Sequence, residues 1–176
     1  GSEMCIRDRL SEIEILYSEE FGIAQWAVDY LNRTLEIPYG YDEAGYIAIH
    51  IHSARTGRGN NHDSIREVTI VSDVIHLIEE ELEIAIRSQE MALDYSRLAN
   101  HLRLLLQRYQ TQRYAVLDQD IIEMVRNKYP ESYQVAKKIR VFLMKTYQLA
   151  ITTEELGYVA IHVERLRKVK EHKGEE

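Results

Sequence analysis

Two sets of three residues recur along this chain with the same internal spacing. Glu43, Tyr46 and His50 form one, and Glu155, Tyr158 and His162 form the other. In each set the histidine follows the glutamate by seven residues and the tyrosine by four. At about 3.6 residues per turn, seven residues make about two helical turns, so the members of each set share one helix face. A carboxylate beside an imidazole fixes its tautomer and orientation. That suits a histidine that accepts a phosphoryl group, because the attacking nitrogen must be unprotonated. A plainer reading is available. Glu155 follows Thr152 by three residues and fits a helix cap, Tyr158 fits a core, and duplicated packing repeats as faithfully as a duplicated site. Both readings stay open on the residues alone.

His101 is a third candidate. Arg97 precedes it by one turn and Arg108 follows it by two. Two guanidinium groups on that side would hold phosphoryl oxygens through paired hydrogen bonds. The alternative is a solvated helix face that carries basic residues. The other histidines offer less. His52 sits about 200° round a helix from His50, so the two cannot chelate one metal. His76 lies at the margin of an apolar helix, His62 in a turn-rich stretch and His172 in a charged tail. The chain has no phosphate-binding glycine loop, no Gly-x-Ser-x-Gly elbow and no Cys/His metal spacing. Its single cysteine, Cys5, leaves no disulfide and no cysteine-based zinc site. No enzyme, cofactor or metal is expected from these residues.

The elements that must position the histidines come in two copies. Shifted by 112 residues, positions 8–51 lie on 120–163 without a gap. The segment from Glu43 to Ile51 falls on that from Glu155 to Val163, with Gly45, Tyr46, Ala48, Ile49 and His50 matching Gly157, Tyr158, Ala160, Ile161 and His162. Upstream, Tyr17 meets Tyr129, Glu19 meets Glu131, Ala24 meets Ala136 and Leu31 meets Leu143. Such self-similarity marks a duplicated structural unit. Apolar spacing predicts helices over 68–87, 91–110, 118–129 and 131–149, and a last helix from the Thr152–Glu155 capping box to about Lys170. Pro130 suits the first turn of its helix. The expectation is an all-α chain: a five-helix bundle preceded by the last helices of a truncated copy.

The domain limits follow. Residues 1–57 read as a truncated first domain whose residues 1–7 fit nothing downstream and look non-native. Residues 58–66 read as a linker, 67–171 as a complete second domain and 172–176 as a charged tail. The formal charge of −7 argues against a nucleic-acid grip within the chain. No apolar run approaches the ~18 residues of a membrane span, and the expected location is cytoplasmic.

Ser96-Arg97-Leu98-Ala99-Asn100-His101-Leu102 and Leu156-Gly157-Tyr158-Val159-Ala160-Ile161-His162-Val163-Glu164-Arg165 resemble the two histidine motifs of a PTS regulation domain. Residues 43–54 resemble the second motif of a preceding domain. The arrangement is similar to the antiterminators of the BglG/LicT type. The resemblance implies helical bundles whose histidines are phosphorylated by the sugar phosphotransferase system. It implies inactivation by a sugar-specific enzyme II acting on the first domain. It implies activation by the carrier HPr acting on the second, which favours a homodimer. It assigns His101 and His162 as second-domain phosphoacceptors and His50 to the first domain, with Arg97, Arg108, Glu43, Glu155, Tyr46 and Tyr158 in support. RNA would be bound only through an N-terminal domain that this chain does not carry. Two other parents fit the motifs: a PTS-controlled DNA-binding activator, and a helical dimerisation scaffold without phosphotransfer.

Overall fold

The computed structural model describes residues 6–57 and 61–173. Among them are eight α-helices and no strand: α1 (Leu10–Leu16), α2 (Ser18–Leu35), α3 (Tyr41–Arg55), α4 (His62–Leu82), α5 (Ala92–Thr111), α6 (Gln119–Lys128), α7 (Pro130–Tyr147) and α8 (Thr153–Lys173). The chain divides into two compact units, residues 1–72 and 73–176, with α4 giving its first half to one and its second half to the other.

In the first unit α2 packs along α3, and α1 against both. Ile13, Phe21, Ala24, Ala44, Ala48 and Ile49 form the core. Phe21 and Ala24 lie three apart on α2 and Ala44 and Ala48 four apart on α3, which puts each pair on one face of its helix. The start of α4 is bound to this unit by polar contacts. Ser64 is fully buried, and its Oγ meets that of Ser53 at 2.9 Å. Tyr17 donates to the Ser64 carbonyl and to Glu67. Sequence periodicity placed the start of this helix at 68; it starts at His62. The run of turn-forming residues conceals the first helical turn, whose anchors are hydroxyls rather than apolar side chains. Residues 58–60 of the expected linker lie outside the described residues, as do 1–5 at the N-terminus.

In the second unit α8 is the centre, packed against α5, α6 and α7. Leu156, Val159, Ala160, Val163 and Leu166 of α8 are buried at 0–1% exposure against Leu98, Ala99, Ile122, Val125, Ile139 and Leu143. Each buried aliphatic side chain of this size contributes roughly 1.5–3 kcal/mol relative to exposure. Pro130 opens α7 at a position where its missing N–H has no helical partner to lose.

The repeat is visible in backbone detail. Tyr17 and Tyr129 occupy equal places, each a break between a short helix and a long one, with φ near −125° and an N–H bonded four residues back. The long helices α2 and α7 end on Glu36 and Gln148, again equal places, both in the left-handed region at φ 55° and 56°. Gly45 and Gly157 are equivalent too. A Cβ on Gly45 would come 2.7 Å from Leu10 and one on Gly157 3.1 Å from Leu117, so each lets the preceding segment lie close against its helix.

Candidate functional site

The second unit brings together residues that are far apart in sequence. His101 on α5 and His162 on α8 lie with ring centres 4.8 Å apart, tilted by 37°. Tyr158, one turn before His162, sits 5.6 Å from the His101 ring. Glu155 completes the group, with Oε2 3.7 Å from Nε2 of His101. The two helices meet here because each buries its apolar stripe, Leu98–Leu102–Leu105 on α5 and Leu156–Val159–Val163 on α8, while the motif residues flank that seam.

Glu155 is only 3% exposed, and its partners explain how a carboxylate is tolerated there. Arg108 donates from Nε to Oε1 at 2.6 Å and from Nη2 to Oε2 at 2.8 Å, a two-pronged pair. The Ala115 amide adds a third donor at 3.3 Å. The expected capping box is therefore one-sided. The Glu155 N–H donates to Thr152 Oγ1 at 3.3 Å, while the Glu155 carboxylate goes to Arg108 and Ala115.

His101 exposes 13% of its side chain. Its Nε2 is buried and makes no hydrogen bond among the described residues, since 3.7 Å exceeds hydrogen-bonding distance. Burial, then the His162 and Arg108 charges, push its pKa down to about 3. The ring is thus a neutral imidazole at physiological pH, with an unprotonated nitrogen. Burial also lowers His162, reinforced by Arg165 and Arg97 and opposed by Asp94. Arg97 thus acts on His162; on α5 its Nη1 lies 3.5 Å from Asp94 Oδ1.

In the first unit Glu43, Tyr46 and His50 line one groove of about 360 Å³ with Val28, Leu31, Tyr39 and Ile47. All three are exposed, and Asn61 approaches the His50 ring nitrogens at 2.6 and 3.2 Å. The shared face read from the seven-residue spacing is present in both units. His52, on the opposite side of α3, is buried, stacked on Tyr17 at 3.8 Å and bonded through Nδ1 to Glu20 at 3.2 Å. Arg55 holds the same Glu20 oxygen at 3.0 Å. The second unit has the same device with the carboxylate moved. Glu164 replaces His52 and Ser132 replaces Glu20, and Glu164 bonds to Ser132 and to Arg167, the equivalent of Arg55. That exchange is readable when the 112-residue register is carried four residues past the gapless match, although the chain's histidines alone do not point to it.

Among the described residues no helix is long and apolar enough to cross a membrane, and no group of three His, Cys, Asp or Glu is placed to hold a metal ion. The fold and the paired motif histidines define a class, and the comparison agrees: the PRD domain family matches residues 4–54 and 67–166, and the chain belongs to it. Similar proteins include Protein GlcT of Staphylococcus aureus strain JH9 and Protein GlcT of strain Newman. Each is 31% identical over 153 residues, covering 84% of this chain and 51% of the relative. The chain spans about half the length of the curated relatives it matches.

Proposed function

We propose that this chain is the regulatory region of a sugar-operon transcriptional antiterminator, controlled by histidine phosphorylation from the phosphotransferase system. The observation that carries the reading is the meeting of His101 and His162 at 4.8 Å, both partly buried and held below their ordinary pKa. A neutral imidazole attacks phosphorus, whereas an imidazolium does not. Arg108, Arg97 and Arg165 stand close enough to receive the charge that follows.

In this reading HPr phosphorylates His101 and His162 within the domain over residues 67–171. A sugar-specific enzyme II acts at His50, supported by Glu43 and Tyr46. A phosphoryl group adds about 1.5–2 negative charges and three strong acceptor oxygens. Placed between α5 and α8, it alters the balance of a helix packing and so the homodimer contact. A shift of a few kcal/mol suffices to move such a two-state population. The antiterminator RNA is bound by another part of a longer cytoplasmic polypeptide.

The test is phosphoryl transfer from phosphoenolpyruvate through enzyme I and HPr, with sites located by mass spectrometry and oligomeric state by sedimentation. Label is expected on His101 or His162, absent from the His101→Ala, His162→Ala double variant, and accompanied by a shift toward dimer. Labelling that persists in the double variant refutes the assignment.

A further inference from the structure

The two histidines of the second unit differ in what covers them. His101 Nε2 is buried beneath the Glu155 carboxylate, whose oxygen stands 3.7 Å away without bonding to it. That carboxylate is fixed by the Arg108 fork and the Ala115 amide. The charged groups acting on His162 are Arg165, Asp94 and Arg97, none of which is tied to that buried pair. A phosphoryl group on His101 would bring its oxygens against Glu155, charge facing like charge in a poorly solvated place. Arg108, already bonded to that carboxylate, is a fork of donors beside it, and its planar guanidinium fits a phosphate as well as a carboxylate.

We propose that the Arg108–Glu155 pair gates His101: a phosphoryl group seats on Nε2 only when Arg108 leaves the carboxylate for the phosphoryl oxygens, whereas His162 is modified with the pair intact. The gate deepens the phosphorylation reading above, which names its biological donor. The chemistry balances without a further reactant. The His101 nitrogen forms an N–P bond as the donor's N–P bond breaks and its electron pair returns to the donor nitrogen. The other ring nitrogen keeps its hydrogen. Arg108 meets the phosphoryl oxygens as the N–P bond forms, so it binds the transferred group directly.

The exchange has a consequence for the backbone. Glu155 joins three places: α8, the last turns of α5 through Arg108, and the α5–α6 connection through the Ala115 amide. Swinging the carboxylate out removes the acceptor from that amide. Modification of His101 therefore loosens residues 112–118, while modification of His162 leaves them in place.

The experiment uses the whole chain with potassium phosphoramidate, which transfers its phosphoryl group to imidazole and releases ammonia. Site-resolved mass spectrometry gives the His101:His162 labelling ratio, and circular dichroism confirms retained helix. His162 is expected to label first in the parent chain. Glu155→Gln should raise the ratio about tenfold by removing the charged lid. Arg108→Gln should lower it by about as much, and Arg108→Lys should restore part of the loss because the charge returns without the fork. The Arg108→Gln, Glu155→Gln pair keeps the interior neutral, so its ratio should fall well below that of Glu155→Gln alone. A Glu155→Gln ratio within about twofold of the parent, or a double-variant ratio within about twofold of Glu155→Gln, overturns the gate. The same chains are then labelled with HPr. If phosphoramidate gives the expected ratios and HPr labels nothing, the gate stands and the reading of the donor falls.

Discussion

Replacing Arg108 with methionine measures the ion pair that closes the second unit's site. Methionine keeps an apolar stem of similar length, so little packing is lost with the charge. The guanidinium makes bonds of 2.6 and 2.8 Å to a carboxylate that is 3% exposed. Removing one member of a buried pair costs about 3–5 kcal/mol, because the remaining charge has no compensation. Two features reduce that figure here. Arg108 is itself 26% exposed, so its own desolvation is incomplete, and the Ala115 amide still donates to the orphaned carboxylate. The expected loss is about 2–4 kcal/mol.

The cost comes from the stranded charge, so removing that charge should lower it. The double variant Arg108→Met, Glu155→Gln should be more stable than Arg108→Met by at least about 1 kcal/mol. Lys138 supplies the control. Its ammonium lies 2.5 Å from Glu81, yet it is 58% exposed, and Lys138→Met should cost less than about 1 kcal/mol. The readout must belong to the second unit. The single tryptophan, Trp26, is in the first, so hydrogen exchange of α5 and α8 amides across a urea series is the suitable assay. If the two methionine variants cost the same within about 0.5 kcal/mol, the usual scatter of additivity, the reasoning from burial is wrong. A double variant no more stable than the single one refutes it equally.

Two further outcomes follow from the geometry. Burial and nearby positive charge hold the His101 pKa at about 3, whereas an imidazole in an unfolded chain titrates near about 6.5. Between those values the unfolded state binds more protons, so this contribution is full above the upper value and is lost as pH falls toward the lower. Thermal midpoints taken from pH 7 to pH 5 should fall less steeply in His101→Gln than in the parent chain, and parallel slopes would contradict a buried neutral ring. The two repeat-equivalent glycines should respond differently to alanine. At Gly45 the new methyl meets Leu10 at 2.7 Å and Ile6 at 3.0 Å, against 3.1 Å from Leu117 at Gly157. The ~1 kcal/mol gain in helix propensity should nearly balance the crowding in Gly157→Ala, while Gly45→Ala should be less stable by about 1–2 kcal/mol, read as a lower thermal midpoint.

The difference between what the chain announces and what it conceals lies in sequence distance. Helices α5 to α8 were legible because each carries its own apolar period, and Pro130 and the Thr152 hydroxyl mark starts by local backbone chemistry that needs no tertiary partner. The common face of Glu155, Tyr158 and His162 was legible for the same reason: seven residues on one helix fix it. Arg108 was not. Reading along α5 places it near His101, but its guanidinium is claimed by a carboxylate 47 residues away, and only the packing of α5 on α8 decides that. His52 was hidden by the same effect, since its partners Tyr17, at the α1–α2 break, and Glu20, on α2, are more than 30 residues away in the chain. Here the duplication held an unused signal. Glu20 and His52 in one copy align with Ser132 and Glu164 in the other, while Arg55 and Arg167 stay in place, so one carboxylate has changed helices within a buried network without losing its arginine. An uncompensated buried charge is costly enough that such an exchange is tolerated only between side chains in contact. A repeat that preserves charge while swapping its position thus reports a tertiary neighbour from a single sequence. For the His101 site that signal is missing, because the aligned first copy, residues 8–51, contains no equivalent of Arg108 to compare.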